Sequence, residues 1–187
     1  DSPIVFGQSF GGMVAMHYAA RYPKSVAKLI LSSTAAQFRL DETKKMMLKL
    51  GGDYAAEVAY QFFSKPSQAA YDTYGKVCLP LYSNPNAPEA GNFRDRAIER
   101  PEVALHFFSY EMALMDMRSE IASITCPTLV VGGTFDPVTP PICSQEIADA
   151  IGKNACLKLF EACGHGPHRD DPDGAEHVMR SFLSINL

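Results

Sequence analysis

Five residues, Gly7-Gln8-Ser9-Phe10-Gly11, restrict what this chain can fold into more than any other feature. They follow a short apolar run over residues 3–6, with β-branched Ile4 and Val5, that reads as a buried parallel strand. After them Val14, Ala15, Tyr18 and Ala19 recur at helical spacing until Tyr22-Pro23 stops the helix. The pattern G-x-S-x-G by itself arises by accident in about one chain in fifteen of this size. Wedged between a strand and a helix it means more. Glycines two positions before and after the serine let the two backbones approach without Cβ clashes, and Gly12 adds clearance. Such a turn holds its serine in strained backbone geometry and offers the hydroxyl as a nucleophile.

The rest of the chain supplies the frame. Residues 26–35, VAKLILSSTA, read as a second buried strand, and strand, helix, strand in that order implies a parallel sheet. From Asp41 to Asp116 the character changes to helical segments rich in Ala, Met, Tyr and Phe, interrupted by a loop over residues 83–96. Strands resume at residues 126–136 and 155–165, each followed by a helix, the first opened by prolines and closed by Gly152. The expected fold class is therefore α/β, a predominantly parallel sheet flanked by helices with an inserted helical cap. The expected units are core over 1–38, cap over 39–118 and core again over 119–187. Both early strands read as buried on both faces, which requires neighbours on both sides. On that ground the chain is expected to be the C-terminal part of a larger enzyme, with an N-terminal segment or a companion chain completing the sheet.

A serine hydroxyl needs a base to take its proton and a carboxylate to hold that base in the right tautomer. With this kind of turn the expected chain order is Ser, then Asp or Glu, then His. Asp136 stands directly after the strand TLVVGGTF, at the carboxyl end where parallel sheets build their sites. His165 follows the next strand, flanked by Gly164 and Gly166, which suggest a mobile, exposed loop; His168 is its rival. Asp170, Asp171 and Asp173 read as a solvated loop and helix start. The backbone N–H of Phe10 is the expected oxyanion donor, and Gln8 beside the serine is a candidate for substrate binding.

Composition narrows the partners. A formal charge of -4, with lysines and arginines scattered, offers no attraction to nucleic acid. No apolar run approaches the roughly 20 residues of a membrane span. Five cysteines without a C-x-x-C pair suggest neither a disulfide framework nor a zinc site, so a reducing cytoplasm is the expected compartment, and the serine chemistry read above implies no metal or cofactor. Cys163, two residues before His165, reads as a buried structural thiol.

Three segments together, VFGQSFGGMVAMHYAARYP, CPTLVVGGTFDPVTP and GHGPHRDDPDG, resemble the serine turn, acid loop and histidine loop of the α/β-hydrolases. Within that superfamily MDMRSEIASITCPTLVVGGTFDPVTP and VCLPLYS resemble proline iminopeptidases and related small peptidases and amidases. The resemblance implies a serine hydrolase acting through an acyl-enzyme on a small amide, short peptide or ester. In such peptidases cap carboxylates bind the free amino end of the substrate, which makes Glu111 and Asp116 the candidates here. A carboxylesterase or lactonase, a carbon-carbon bond hydrolase, and a ligand-binding sensor with little turnover stay open, because all can keep the same three residues.

Overall fold

The computed structural model describes residues 2–87, 98 and 100–184. Strands β1 (Ile4–Gln8), β2 (Lys28–Ser32), β3 (Thr128–Gly133) and β4 (Ala155–Phe160) pair side by side in chain order, all parallel. The described α-helices are α1 (Phe10–Arg21), α2 (Leu40–Ser64), α3 (Gln68–Val77), α4 (Pro101–His106), α5 (Arg118–Ile121), α6 (Pro141–Ile151), α7 (Pro167–Asp170) and α8 (Pro172–Ser184). The class is the expected one, a parallel sheet flanked by helices.

Alternation along the two middle strands builds two cores. Leu29 and Leu31 of β2 and Val130 of β3 point to one face, where Met16 and Ala19 of α1 and Cys143 and Ile147 of α6 cover them. Ile30, Leu129 and Val131 point to the other, against Ala175 and Phe182 of α8. Lys28 is also buried, and its Nζ donates to the carbonyls of Phe182 at 3.1 Å and Leu183 at 2.8 Å, so a β2 side chain anchors the end of α8. Such a cation at a helix C-terminus satisfies carbonyls that have no partner inside the helix.

The reading of β1 as buried on both faces needs correction. Within the described sheet β1 has β2 on one side only, and Ile4 and Phe6 are 54% and 50% exposed. Strand β2 is buried throughout, as expected.

Helices α2 to α4 and a π-helical turn, Phe107–Glu111, lie between β2 and β3 in the chain and share a third core. Phe62 is its centre, with ring centroids 4.6 Å from Tyr74 and 5.0 Å from Phe108. Helix α2 is two helical stretches that meet at a kink at Gly52, whose φ of 76° and ψ of -174° are not helical and are adopted without strain only by glycine. Part of the loop expected over 83–96 lies outside the described residues. After the π turn the chain leaves helical geometry. There Asp116 forms an antiparallel bridge with Gln37, and the Met117 N–H donates to the Ala36 carbonyl at 2.9 Å. This contact ties the exit of the insert to the exit of β2.

Candidate active site

All four strands end at the edge of the sheet that faces the insert, and Ser9, Asp136 and His165 meet there. Ser9 is the residue between β1 and α1, with φ 52° and ψ -123°. These torsions are ones an L-residue avoids, and the surroundings enforce them. The Ser9 N–H donates to the Ser32 carbonyl at 3.0 Å, and the Ser9 carbonyl accepts from Thr34 Oγ1 at 2.7 Å. A Cβ at Gly7 would come 2.5 Å from the Gly11 carbonyl oxygen, and one at Gly12 would come 2.6 Å from the Thr34 side chain. Gly7 and Gly12 are therefore what lets strand and helix meet at this angle; Gly11, expected to give clearance as well, faces open space, with nothing within 4 Å of where its Cβ would be.

Asp136 and His165 complete a continuous line of hydrogen bonds. His165 Nε2 lies 2.9 Å from Ser9 Oγ, and its Nδ1 lies 2.9 Å from Asp136 Oδ2 and 3.0 Å from Oδ1. Asp136 is wholly buried. Its Oδ1 accepts the N–H groups of Val138 and Thr139 at 2.9 Å each, and its Oδ2 accepts the Thr139 hydroxyl at 2.9 Å. A buried carboxylate with this many donors is held in one orientation. The arrangement can pass a proton from the serine hydroxyl to the imidazole while the carboxylate fixes the ring.

The histidine loop differs from its expected character. His165 is only 6% exposed. Gly164 serves close packing, not mobility: a Cβ there would strike the Tyr82 carbonyl, whereas one at Gly166 would meet only the movable end of the Arg169 side chain. The His165 N–H donates to the Tyr82 carbonyl at 2.7 Å, and the Tyr82 ring stands edge-on to the imidazole with centroids 5.1 Å apart. The His165 carbonyl accepts from Gln8 Nε2 at 3.0 Å and from the Arg169 guanidinium at 2.9 Å. Gln8 thus turns to the base loop and is not part of the cavity wall. His168 is half-buried on α7, where burial and then the Arg169 charge lower its pKa. Asp170 is buried, contrary to its reading as a solvated loop residue. Burial first, and then the carboxylates of Asp170, Asp171 and Glu161, push the Cys163 thiol up to about 11, so it stays protonated.

Ser9 and His165 open onto a cavity of about 720 Å³. Its walls are mostly aromatic and aliphatic, with Phe62, Phe63, Tyr74, Phe107, Phe108 and Met112 all contributed by the insert. The Tyr74 and Tyr82 hydroxyls bond each other at 2.7 Å. Burial, together with the Tyr82 neighbour, keeps the Tyr74 phenol well above its ordinary range and neutral. Phe10 opens α1, so its N–H is among those that a helix start leaves without an intrahelical acceptor. Its ring packs edge-on against Phe107 at 4.8 Å.

The two cap carboxylates are elsewhere. The Glu111 side chain is 65% exposed and lies 3.9 Å from His106. Asp116 forms a 2.6 Å ion pair with Arg118, whose hydrogen bonds hold its carboxyl down to about 2. Neither lines the cavity. Thr139 and Tyr82, by contrast, were not singled out from the sequence. For Thr139 a signal was present, since an Asp followed three residues on by Thr before a proline-opened helix is a pattern for a side chain capping backbone N–H groups. For Tyr82 there was none.

The profile of the serine aminopeptidase S33 family matches residues 2–172. The chain belongs to that family. Among curated relatives, proline iminopeptidase PfmaB of Pestalotiopsis fici is 30% identical, over 96% of this chain and 66% of that protein. A pimeloyl-[acyl-carrier protein] methyl ester esterase of Neisseria meningitidis serogroup B is 26% identical, over the whole of this chain and 71% of that one. This S33 family member therefore spans about two thirds of the length of the relatives it matches. An α/β fold family hydrolase from Bacillus anthracis superposes with a TM-score of 0.69 at 20% identity, covering 95% of this chain and 66% of that structure. The fold is that of the α/β-hydrolase superfamily, and among the described residues no helix is long and apolar enough to cross a membrane.

Proposed function

We propose that this chain carries the catalytic centre of a serine hydrolase that cleaves esters of a bulky, uncharged acyl group. The observation that carries the reading is the unbroken line from Asp136 through His165 to Ser9, ending at an apolar cavity. Ser9 Oγ attacks the acyl carbon as its proton passes to His165 Nε2. Asp136, bonded at Nδ1, keeps the imidazole in the tautomer that accepts that proton and stabilises the imidazolium that forms. The oxyanion of the tetrahedral intermediate meets the Phe10 N–H at the start of α1, where the helix dipole adds positive potential. The imidazolium then protonates the leaving group, and water, activated by the same imidazole, releases the acid and restores Ser9.

The cavity wall favours an ester over the aminoacyl substrates of the proline iminopeptidase reading. A buried ammonium needs a charged partner. Asp72 is the one carboxylate among the described wall residues, alongside the cations Lys76 and Arg100, and it is exposed and accepts a hydrogen bond from Gln68. Lactone and carbon-carbon bond hydrolysis would use the same residues, but no feature of the wall argues for them. The test is labelling with a fluorophosphonate probe together with turnover of p-nitrophenyl esters and aminoacyl amides. Ser9 is expected to carry the label, Ser9→Ala to lose both label and turnover, and longer apolar acyl chains to raise kcat/KM by about fourfold per methylene. Labelling that survives Ser9→Ala would remove the nucleophile, and tight ligand binding without turnover would favour a sensor.

A further inference from the structure

The base loop is fastened to the insert by one carboxylate. Asp170 is 9% exposed, and its Oδ2 accepts two backbone N–H groups at once, that of Gly164 at 2.6 Å and that of Asn84 at 3.0 Å. Gly164 immediately precedes His165, and Asn84 lies two residues beyond Tyr82. The same two stretches meet again where the His165 N–H reaches the Tyr82 carbonyl and where the Tyr82 ring supports the imidazole edge. The absence of a Cβ at Gly164 is what permits the approach. The Tyr82 hydroxyl is in turn bonded to Tyr74, in the cavity wall. A chain of contacts therefore runs from the wall of the cavity to the ring that takes the proton.

Resting on the serine-hydrolase reading above, we propose that Asp170 is a positioning residue: its buried carboxylate clasps the His165 loop to insert residues 82–84 and so sets the imidazole between Asp136 and Ser9. Without it, two N–H groups in a largely buried seam lose their acceptor, which favours parting of the two loops. Displacement of a reacting group by about 1 Å is enough to cost about 10²-fold in rate. Replacement by asparagine keeps an oxygen able to accept both N–H groups and should preserve the clasp.

The experiment compares Asp170→Ala, Asp170→Asn and a surface control, Asp173→Asn, in ester turnover, in the rate of fluorophosphonate labelling, and in the downfield proton NMR resonance of the His165 Nδ1–H bonded to Asp136. Asp170→Ala is expected to lose about 10²-fold in kcat with KM within about threefold, and to shift or broaden the resonance. Asp170→Asn should recover most of the rate and the parent resonance, and the control should match the parent. Tyr82→Leu removes the ring from the other side of the seam. If the clasp is one device, its loss and that of Asp170 combine by less than their product. Should Asp170→Ala not fold, Tyr82→Leu alone must reproduce the kcat loss and the shifted resonance. Parent-like kcat and resonance in the folded Asp170→Ala variant, even with a lowered melting temperature, would overturn the proposal. A parent protein that neither labels at Ser9 nor turns over esters would instead defeat the hydrolase reading, and the resonance would still report on the clasp.

Discussion

Ser9 is the place to measure how much strain the fold stores. Its torsions, φ 52° and ψ -123°, are the mirror image of an ordinary extended conformation, so glycine adopts them freely and other residues do not. Ser9→Ala and Ser9→Gly both delete the hydroxyl and its 2.9 Å contact with His165 Nε2. The comparison of the two variants therefore cancels the lost hydrogen bond and leaves the backbone. Glycine relieves about 1–3 kcal/mol of strain. Against that, its greater freedom in the unfolded chain costs about 0.5–1 kcal/mol. The glycine variant is expected to be more stable than the alanine variant by about 1 kcal/mol, a rise of about 2–4 °C in melting temperature for a chain of this size. Calorimetry or urea unfolding of the two inactive proteins reads this directly. At an unstrained position the same pair of residues ranks in the opposite order. An alanine variant as stable as the glycine variant, or more so, would refute the argument that Ser9 is held against its conformational preference.

Two further predictions follow from the electrostatics. Burial raises the thiols of Cys78 and Cys163 to about 11, that of Cys143 to about 12 and that of Cys126 above its ordinary value, while Cys156 is exposed. At pH 8 a thiol reagent should therefore modify one cysteine quickly, Cys156 by peptide mapping, and the others only after denaturation; rapid modification of Cys163 would contradict its protonated, buried state. Glu111→Gln and Asp116→Asn are expected to change kcat/KM for aminoacyl amides and for neutral esters by the same small factor, under about threefold, since both side chains sit outside the cavity. A selective loss on the aminoacyl substrates would restore these carboxylates as readers of a free amine.

The residues that converge at the site were legible for different reasons. Ser9 stood out because a glycine-rich turn joins strand to helix there, although the tight passage needs glycine at 7 and 12 and not at 11, and Asp136 and His165 because each follows a β-branched or apolar strand in the right order. Asp170 and Tyr82 were not legible, because their roles depend on two loops that touch only after the insert has folded back over the sheet. Gly164 was noticed but given the wrong reason. A glycine beside a functional residue can mean freedom or contact, and only the carbonyl of Tyr82 lying where its Cβ would be decides for contact. The exposed face of β1 shows a similar limit, since an apolar run announces a strand without announcing how many neighbours it has.

The division of the apolar interior into separate cores also bears on how the molecule comes apart. Two cores sandwich the sheet and the third lies inside the insert, with Phe107 packed against both the insert core and the α1 side of the sheet. Cooperativity is strongest within such clusters and weaker across the seams between them, so the insert can open at lower cost than the sheet. In most layouts that would leave a reactive serine uncovered and indiscriminate. Here the insert also carries Tyr82, which holds the imidazole, so a molecule that loses its grip on substrate loses the set of its base in the same event. Partial unfolding would then switch the centre off instead of setting it loose.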